Sequence, residues 1–224
     1  MHNSKQEPNP RTKAKTGQLC PQPAWRWLGD RGLLVSTGDT TLSRYEMLIS
    51  QNITEIEDVI PADGSLLVIF RRGAGVPDSL REALIAPLAE SRAASVKQHE
   101  IAVEYGGAAG PDLQLLAQQA GLGVAEYIKS HTAVEYTVAF LGFQPGFPYL
   151  RGLPPALHAP RRMSPRVMVA AGSVAIGGAY TGIYPANGPG GWQIIGRTTA
   201  VLFDPQRDAP ALLMPGDRLR FVPL

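Results

Sequence analysis

The sequence predicts two parts in series: a small α+β layer of order ββαββα, and a mainly β C-terminal half that closes, or nearly closes, on itself. Three observations carry that reading. With 224 residues, 44% of them hydrophobic, the chain can bury one large core or two small ones. Gly 24 and Pro 20 exceed ordinary usage without reaching low complexity, so many tight turns and short strands are expected. Helical spacing stops near Thr132, and everything after it reads as strand and turn.

Residues 1–23 are polar, lack an apolar signal-peptide core and are read as a disordered leader. "WRWLGDRGLLVSTG" then reads as a hairpin around Gly29, Asp30, Arg31 and Gly32. "TTLSRYEMLISQN" spaces Leu42, Tyr45, Leu48 and Ile49 as one helical face, with Thr40 or Thr41 at its start and Asn52 at its end. "EIEDVI" and "SLLVIF" pair across "PADG", and "PDSLREALIAPLAE" opens a second helix that Pro87 limits. This layer spans 24–92, with helices on one face of an antiparallel sheet. "SRAASVKQ", Ser91 to Gln98, is the linker candidate, and a second domain covers 99–224. There "HEIAVEYGG" alternates as a strand, and "GPDLQLLAQQAG" and "GVAEYIKSHT" are short helices. "EYTVAFLGF", "RVMVAAGSVAIGG", "TGIYP", "GWQIIGRT", "TAVLF" and "LLMPGDRLRFVPL" supply the strands of a closed or nearly closed β structure.

Charge and motif content exclude several functions. The net charge is +2, but Lys5, Arg11, Lys13 and Lys15 against Glu7 place +3 in the leader, so the body has no basic stripe for nucleic acid. A lone cysteine, Cys20, builds neither a disulfide framework nor a thiolate metal site. His2, His99, His131 and His158 are too scattered for a zinc motif. No apolar run approaches a membrane span, so a cytoplasmic protein is expected. Neither a Walker A sequence nor a nucleophile elbow occurs, so any nucleotide is bound by another route or with a partner.

The positive signal is an interval without acids. From 136 to 203, 68 residues hold no Asp or Glu, where the chain's average gives about six, yet they hold Arg151, Arg161, Arg162, Arg166 and Arg197. Planar guanidinium forks in a field free of carboxylates suit an anion or an acidic partner face; core strands with arginines at their exposed ends would read the same way. Tyr184, Trp192, Gln193 and Arg197 supply an aromatic, an amide and a cation, the inventory of a small polar pocket. Regular strand spacing would put Gln193 and Arg197 on one face. The nearby glycines either form turns or admit a ligand to the backbone. His131, near a helix end, is either an acid–base group or structural. "FLGFQPGFPYLRGLPPALHAPRR", Phe140 to Arg162, carries five prolines and three glycines and is expected to be a fixed wall.

"FLGFQPGFPYLRGLP", "APRRMSPR", "AAGSVAIGGAYTGIYP", "GPGGWQIIGRT" and "PGDRLRF" resemble the family that holds the Kip-type kinase inhibitors and the 5-oxoprolinase B subunit, also described as allophanate hydrolase subunit 1. The resemblance runs from about Trp25 to the C-terminus and is densest after Glu104. It implies a ferredoxin-like α+β N-terminal domain followed by a cyclophilin-like β-barrel. It further implies a component, inactive alone, that works with the A and C subunits to open 5-oxoproline to glutamate with ATP, as Mg-ATP shared with a partner. The alternative it implies is a regulator docking on a sensor histidine kinase; an enzyme acting on urea or allophanate ranks below both. The family motifs mark Arg166, Gln193, Arg197 and His131 as catalytic candidates and Gly146, Phe147, Tyr184, Gly191 and Trp192 as substrate-binding candidates. Arg166 and Arg197 would hold anionic groups, Gln193 would bond the lactam or an oxyanion, and Phe147 with Trp192 would exclude water. Phe140 to Arg162 would line the pocket or face the C subunit. Two departures stand out: Ala170 where a proline is usual, and Tyr180 where a glutamine is usual.

Overall fold

A computed structural model describes residues 24–88 and 96–224. The leader, and most of the predicted linker, lie outside the described residues. The N-terminal unit follows the predicted order. Strands β1 (Trp25–Leu28) and β2 (Gly32–Ser36) form a hairpin, in which Gly29 takes the left-handed turn position at φ +68°. Helix α1 (Thr41–Gln51) ends on Asn52 in the left-handed conformation. Its start is held by hydroxyls bonding backwards, Thr40 to the Thr37 carbonyl and Thr41 to the Gly38 carbonyl. Strands β3 (Ile56–Ala62) and β4 (Ser65–Phe70) pair across a two-residue turn. Helix α2 (Asp78–Ile85) stops at Ala86, the residue before Pro87, which proline holds extended at ψ 143°.

The four strands form one antiparallel sheet of order β1-β2-β4-β3. Pro61 sits on the edge strand β3, where its missing N–H is tolerated. Period-two alternation puts Leu33, Val35, Val59, Leu66, Val68 and Phe70 on one face, where they pack with Leu48 of α1 and Leu80, Ala83 and Leu84 of α2. Both helices therefore cover the same side of the sheet.

The second unit begins with β5 (Gln98–Tyr105), α3 (Leu113–Gln119) and α4 (Val124–Thr132). Eight strands follow: β6 (Tyr136–Leu141), β7 (Pro148–Arg151), β8 (Arg166–Val169), β9 (Ser173–Gly177), β10 (Tyr180–Ile183), β11 (Gly188–Gly190), β12 (Gln193–Arg197) and β13 (Arg218–Pro223). Seven of the strands close a barrel of order β10-β7-β6-β13-β5-β12-β9. Its one parallel pairing joins the first and last barrel strands, β5 and β13. Each barrel strand sends a residue into one core: Val103, Leu219, Val138, Leu150, Ile183, Ile176 and Ile195. Leu113, Leu116 and Tyr127 of the two helices join them.

Two predicted strands turn out differently. "RVMVAAGSVAIGG" breaks at Ala170 to Gly172: β9 enters the barrel, whereas β8 pairs with β11 in a separate two-stranded ribbon. "TAVLF" is not a strand; only Phe203 bridges, to Ala211. No described helix is long and apolar enough to cross a membrane.

Candidate functional site

The site sits on the outer surface of the barrel wall. Along β9, Val174 and Ile176 point into the barrel while Ala175 points out, and in β12 Ile195 points in while Ile194 points out. The outward residues meet Val169 of the ribbon and the aromatic side chains Phe147, Tyr184 and Trp192, forming a second, smaller core. Between this core and the ribbon lies a recess of about 180 Å³. Its walls are Phe143, Phe147, Tyr149, Tyr184 and Trp192, and its rim is Arg161, Arg162, Pro165, Gly190 and Gly191.

Edge-to-face packing fixes the walls. Phe147 meets Tyr184 at 5.1 Å and Trp192 at 5.3 Å between ring centroids, both nearly perpendicular. Glycine makes this packing possible: a Cβ at Gly177 would stand 2.5 Å from the Trp192 indole, and one at Gly190 would stand 2.3 Å from the Tyr184 hydroxyl. These glycines admit aromatic side chains to the backbone. Burial pushes the Tyr184 phenol up, against the opposing pull of the Trp192 backbone and the Arg161 and Arg166 charges.

The proline-rich stretch forms half of the recess lining, through Phe143, Phe147, Tyr149, Arg161 and Arg162. Phe143 has φ +68°, a strained conformation for a bulky residue. Its ring also lines a neighbouring groove of about 640 Å³ built from residues 141–146 and 209–211 with Phe203 and Met214. That groove is lined by no charged side chain, whereas the smaller recess has two arginines in its lining.

Asp112, which the sequence reading passed over, organises the rim. It precedes α3 in the N-cap position but makes no capping bond. Only 6% exposed, it accepts the Ile194 backbone N–H at 2.7 Å on Oδ2, and on Oδ1 it accepts Arg166 Nη2 at 2.7 Å and Arg162 Nη1 at 3.4 Å. An acid-free interval in sequence is thus not acid-free in space. Arg161 lies 5.9 Å from the Trp192 ring centroid, a cation–π arrangement.

The expected residues separate into groups. Phe147, Tyr184, Gly191 and Trp192 line the recess, and Arg166 stands beside it, paired across the ribbon with Gly190. Gly146 lines the apolar groove, where a Cβ would crowd the Phe203 Cβ at 2.8 Å. Gln193 and Arg197 do not share a face. A β-bulge between Ile194 and Gly196 shifts the register, so Gln193 pairs with Ile176 and Arg197 with Ser173, an odd separation that reverses the facing. Gln193 donates to the Pro160 carbonyl at 3.1 Å. Arg197 lines a separate depression of about 400 Å³ with Glu104 and Thr199.

His131 lies inside the barrel, across the wall from the recess. It is fully buried between Tyr105, 2.8 Å from Nδ1, and Thr181, 3.1 Å from Nε2. Thr181 donates its own proton to the Ala175 carbonyl, so His131 donates from Nε2 and accepts from Tyr105 at Nδ1. Burial lowers its pKa to about 3. Tyr180, one of the two departures, donates to Asp63 of the first unit at 2.8 Å and packs on Phe140 and Tyr149.

A small sheet-and-helix layer joined to a closed mixed barrel, with an aromatic recess on the barrel's outer wall, defines a two-part α/β and β-barrel protein. The family described as carboxyltransferase domain, subdomain C and D, matches residues 23–213. The chain belongs to this family, together with the 5-oxoprolinase B subunit. The B subunit of 5-oxoprolinase from Escherichia coli O157:H7 is 49% identical over 174 residues, 77% of this chain and 80% of that one. The one from Bacillus subtilis (strain 168) is 38% identical over 216 residues, 87% of this chain and 90% of its own. Among solved structures, that of TTHA0988 superposes with a TM-score of 0.74 at 33% identity. The match covers 87% of this chain and 40% of that one, so this chain spans less than half of TTHA0988.

Proposed function

We propose that this chain is the B subunit of an ATP-dependent 5-oxoprolinase, working in the cytoplasm with a C subunit for its main partner and with an A subunit. The observation that carries the reading is the match to the 5-oxoprolinase B subunit from two bacteria over most of both chains. Its two parts are assigned to the ferredoxin-like and cyclophilin-like classes that the motif resemblance implies; the barrel class brings no isomerase activity with it.

The recess gives the chemistry a place. A lactam is a poor electrophile, and ATP supplies the activation by phosphorylating the lactam oxygen. Water then adds at the activated carbon, the ring C–N bond breaks with a proton taken up by nitrogen to leave an acyl phosphate, and a second water hydrolyses that acyl phosphate to the carboxylate and free phosphate. In this chain Phe147 and Trp192 form a dry wall for the ring and Arg166, beside the recess, holds an anionic group; the lactam contact proposed for Gln193 would require its amide to leave the Pro160 carbonyl. The arginine rim fits an anion. The recess lies below the roughly 300 Å³ of a drug-sized ligand site, so the nucleotide is assigned to a surface shared with the partner.

The partner face is assigned to the β8–β11 ribbon. Met163 and Val167 are almost wholly exposed and Met168 is largely so, and Met163 and Val167 follow Arg162 and Arg166 directly in the chain. Reconstitution with the A and C subunits tests the function: ATP-dependent release of glutamate from 5-oxoproline is expected only when this chain is added. Equal release without it would refute the reading.

A further inference from the structure

We propose that Asp112, Arg162 and Arg166 form a carboxylate receptor at the rim of the recess, with Asp112 as its positioning residue and the carboxylate of 5-oxoproline as its ligand. The choice of ligand rests on the function proposed above; the receptor itself rests on geometry.

Both oxygens of Asp112 are committed. One is tied to the backbone of β12 through Ile194, and the other to the two arginines. The carboxylate is thereby fixed to the barrel wall and in turn fixes both guanidinium groups. Each arginine spends one nitrogen on Asp112 and keeps another that is buried yet unbonded: Arg162 Nε and Arg166 Nη1 find no hydrogen-bond partner among the described residues. A buried guanidinium N–H without an acceptor is costly, so two of them at one rim indicate an external acceptor.

Charge narrows the ligand. Two arginines against one aspartate leave this cluster a single positive charge, and Arg161 adds a second at the same rim, so the site favours an anion. A planar anion with two oxygens suits donors presented by two forks. 5-Oxoproline carries one such carboxylate next to its ring. With the carboxylate on the arginines, the ring lies toward Phe147 and Trp192, and the small volume of the recess suits a ring of that size.

The test uses the full chain and a ligand pair differing only in the carboxylate, 5-oxoproline and 2-pyrrolidinone. In a ¹⁵N-edited titration the Arg162 Nε–H resonance is expected to move with 5-oxoproline and to stay in place with 2-pyrrolidinone. Asp112→Asn should weaken that response about 10-fold. Arg166→Lys keeps an ion pair for Asp112 but loses the fork, so it serves where Asp112→Asn fails to fold. In the assembled enzyme Arg166→Lys should raise KM for 5-oxoproline roughly 10- to 100-fold and leave KM for ATP unchanged. Equal movement with both ligands, movement with Mg-ATP instead, or movement only after the C subunit is added would overturn the proposal. An assembled enzyme that released no glutamate would end the functional reading, while the titration would still decide the receptor.

Discussion

His131 shows how burial decides what a titratable side chain can do. Two neutral partners and complete burial hold the imidazole uncharged, with its pKa lowered from 6.5 to about 3. Between those values the unfolded chain binds a proton that the folded chain refuses, so stability is full above pH 6.5 and falls as the pH drops toward 3. His131 should contribute up to ~1.4 kcal/mol per pH unit to that fall. Replacing it with Gln, which retains hydrogen bonding and cannot titrate, should flatten the acid limb of a denaturation series; an unchanged slope would contradict the burial argument. The same residue shows the limit of sequence reading, because a histidine near a helix end looks identical whether its helix faces a cleft or a core. Asp112 makes the converse point. At a helix start, an aspartate reads as an ordinary cap, and only the folded chain turns its carboxylate toward two arginines 50 and 54 residues away.

At the level of strands, small irregularities set what reaches the site. The bulge in β12 turns Arg197 away from Gln193, a result that a period-two reading cannot contain. The turn at Ala170 to Gly172 has a comparable effect, dividing one continuous apolar stretch between the barrel and the ribbon. Because Val167 and Met168 of β8 are already exposed, changing both to Glu should alter stability by no more than ~0.5 kcal/mol. Their predicted effect is on assembly: co-elution with the C subunit should be lost while the thermal midpoint is retained. Undiminished co-elution would take the ribbon out of the interface.

For the molecule as a whole, the two units are joined by more than the chain. Tyr180 reaches from the barrel to Asp63 in the turn between β3 and β4, so a residue unusual for the motif acts as a tie between the halves. Tyr180→Phe keeps the ring packing on Phe140 and Tyr149 and removes only the hydroxyl. It should cost about 1 kcal/mol, because Asp63 can regain water when the bond is lost. Calorimetry should show a lower midpoint with the barrel core unaffected, and a wild-type midpoint would show that the tie is not holding the halves. The order ββαββα, the hairpin turns, the stop before Pro87 and the strand-rich second half were legible because local chemistry dictates them: backbone preference, side-chain period and the φ restriction of proline. Phe147, Tyr184, Gly191 and Trp192 could be marked for the recess from their motifs alone. Barrel closure between the first and last strands, the inner and outer faces of its wall, and the meeting of Asp112 with Arg162 and Arg166 came only with the folded chain. Each depends on register between segments far apart in sequence, and no local preference encodes which distant strand a given strand will meet.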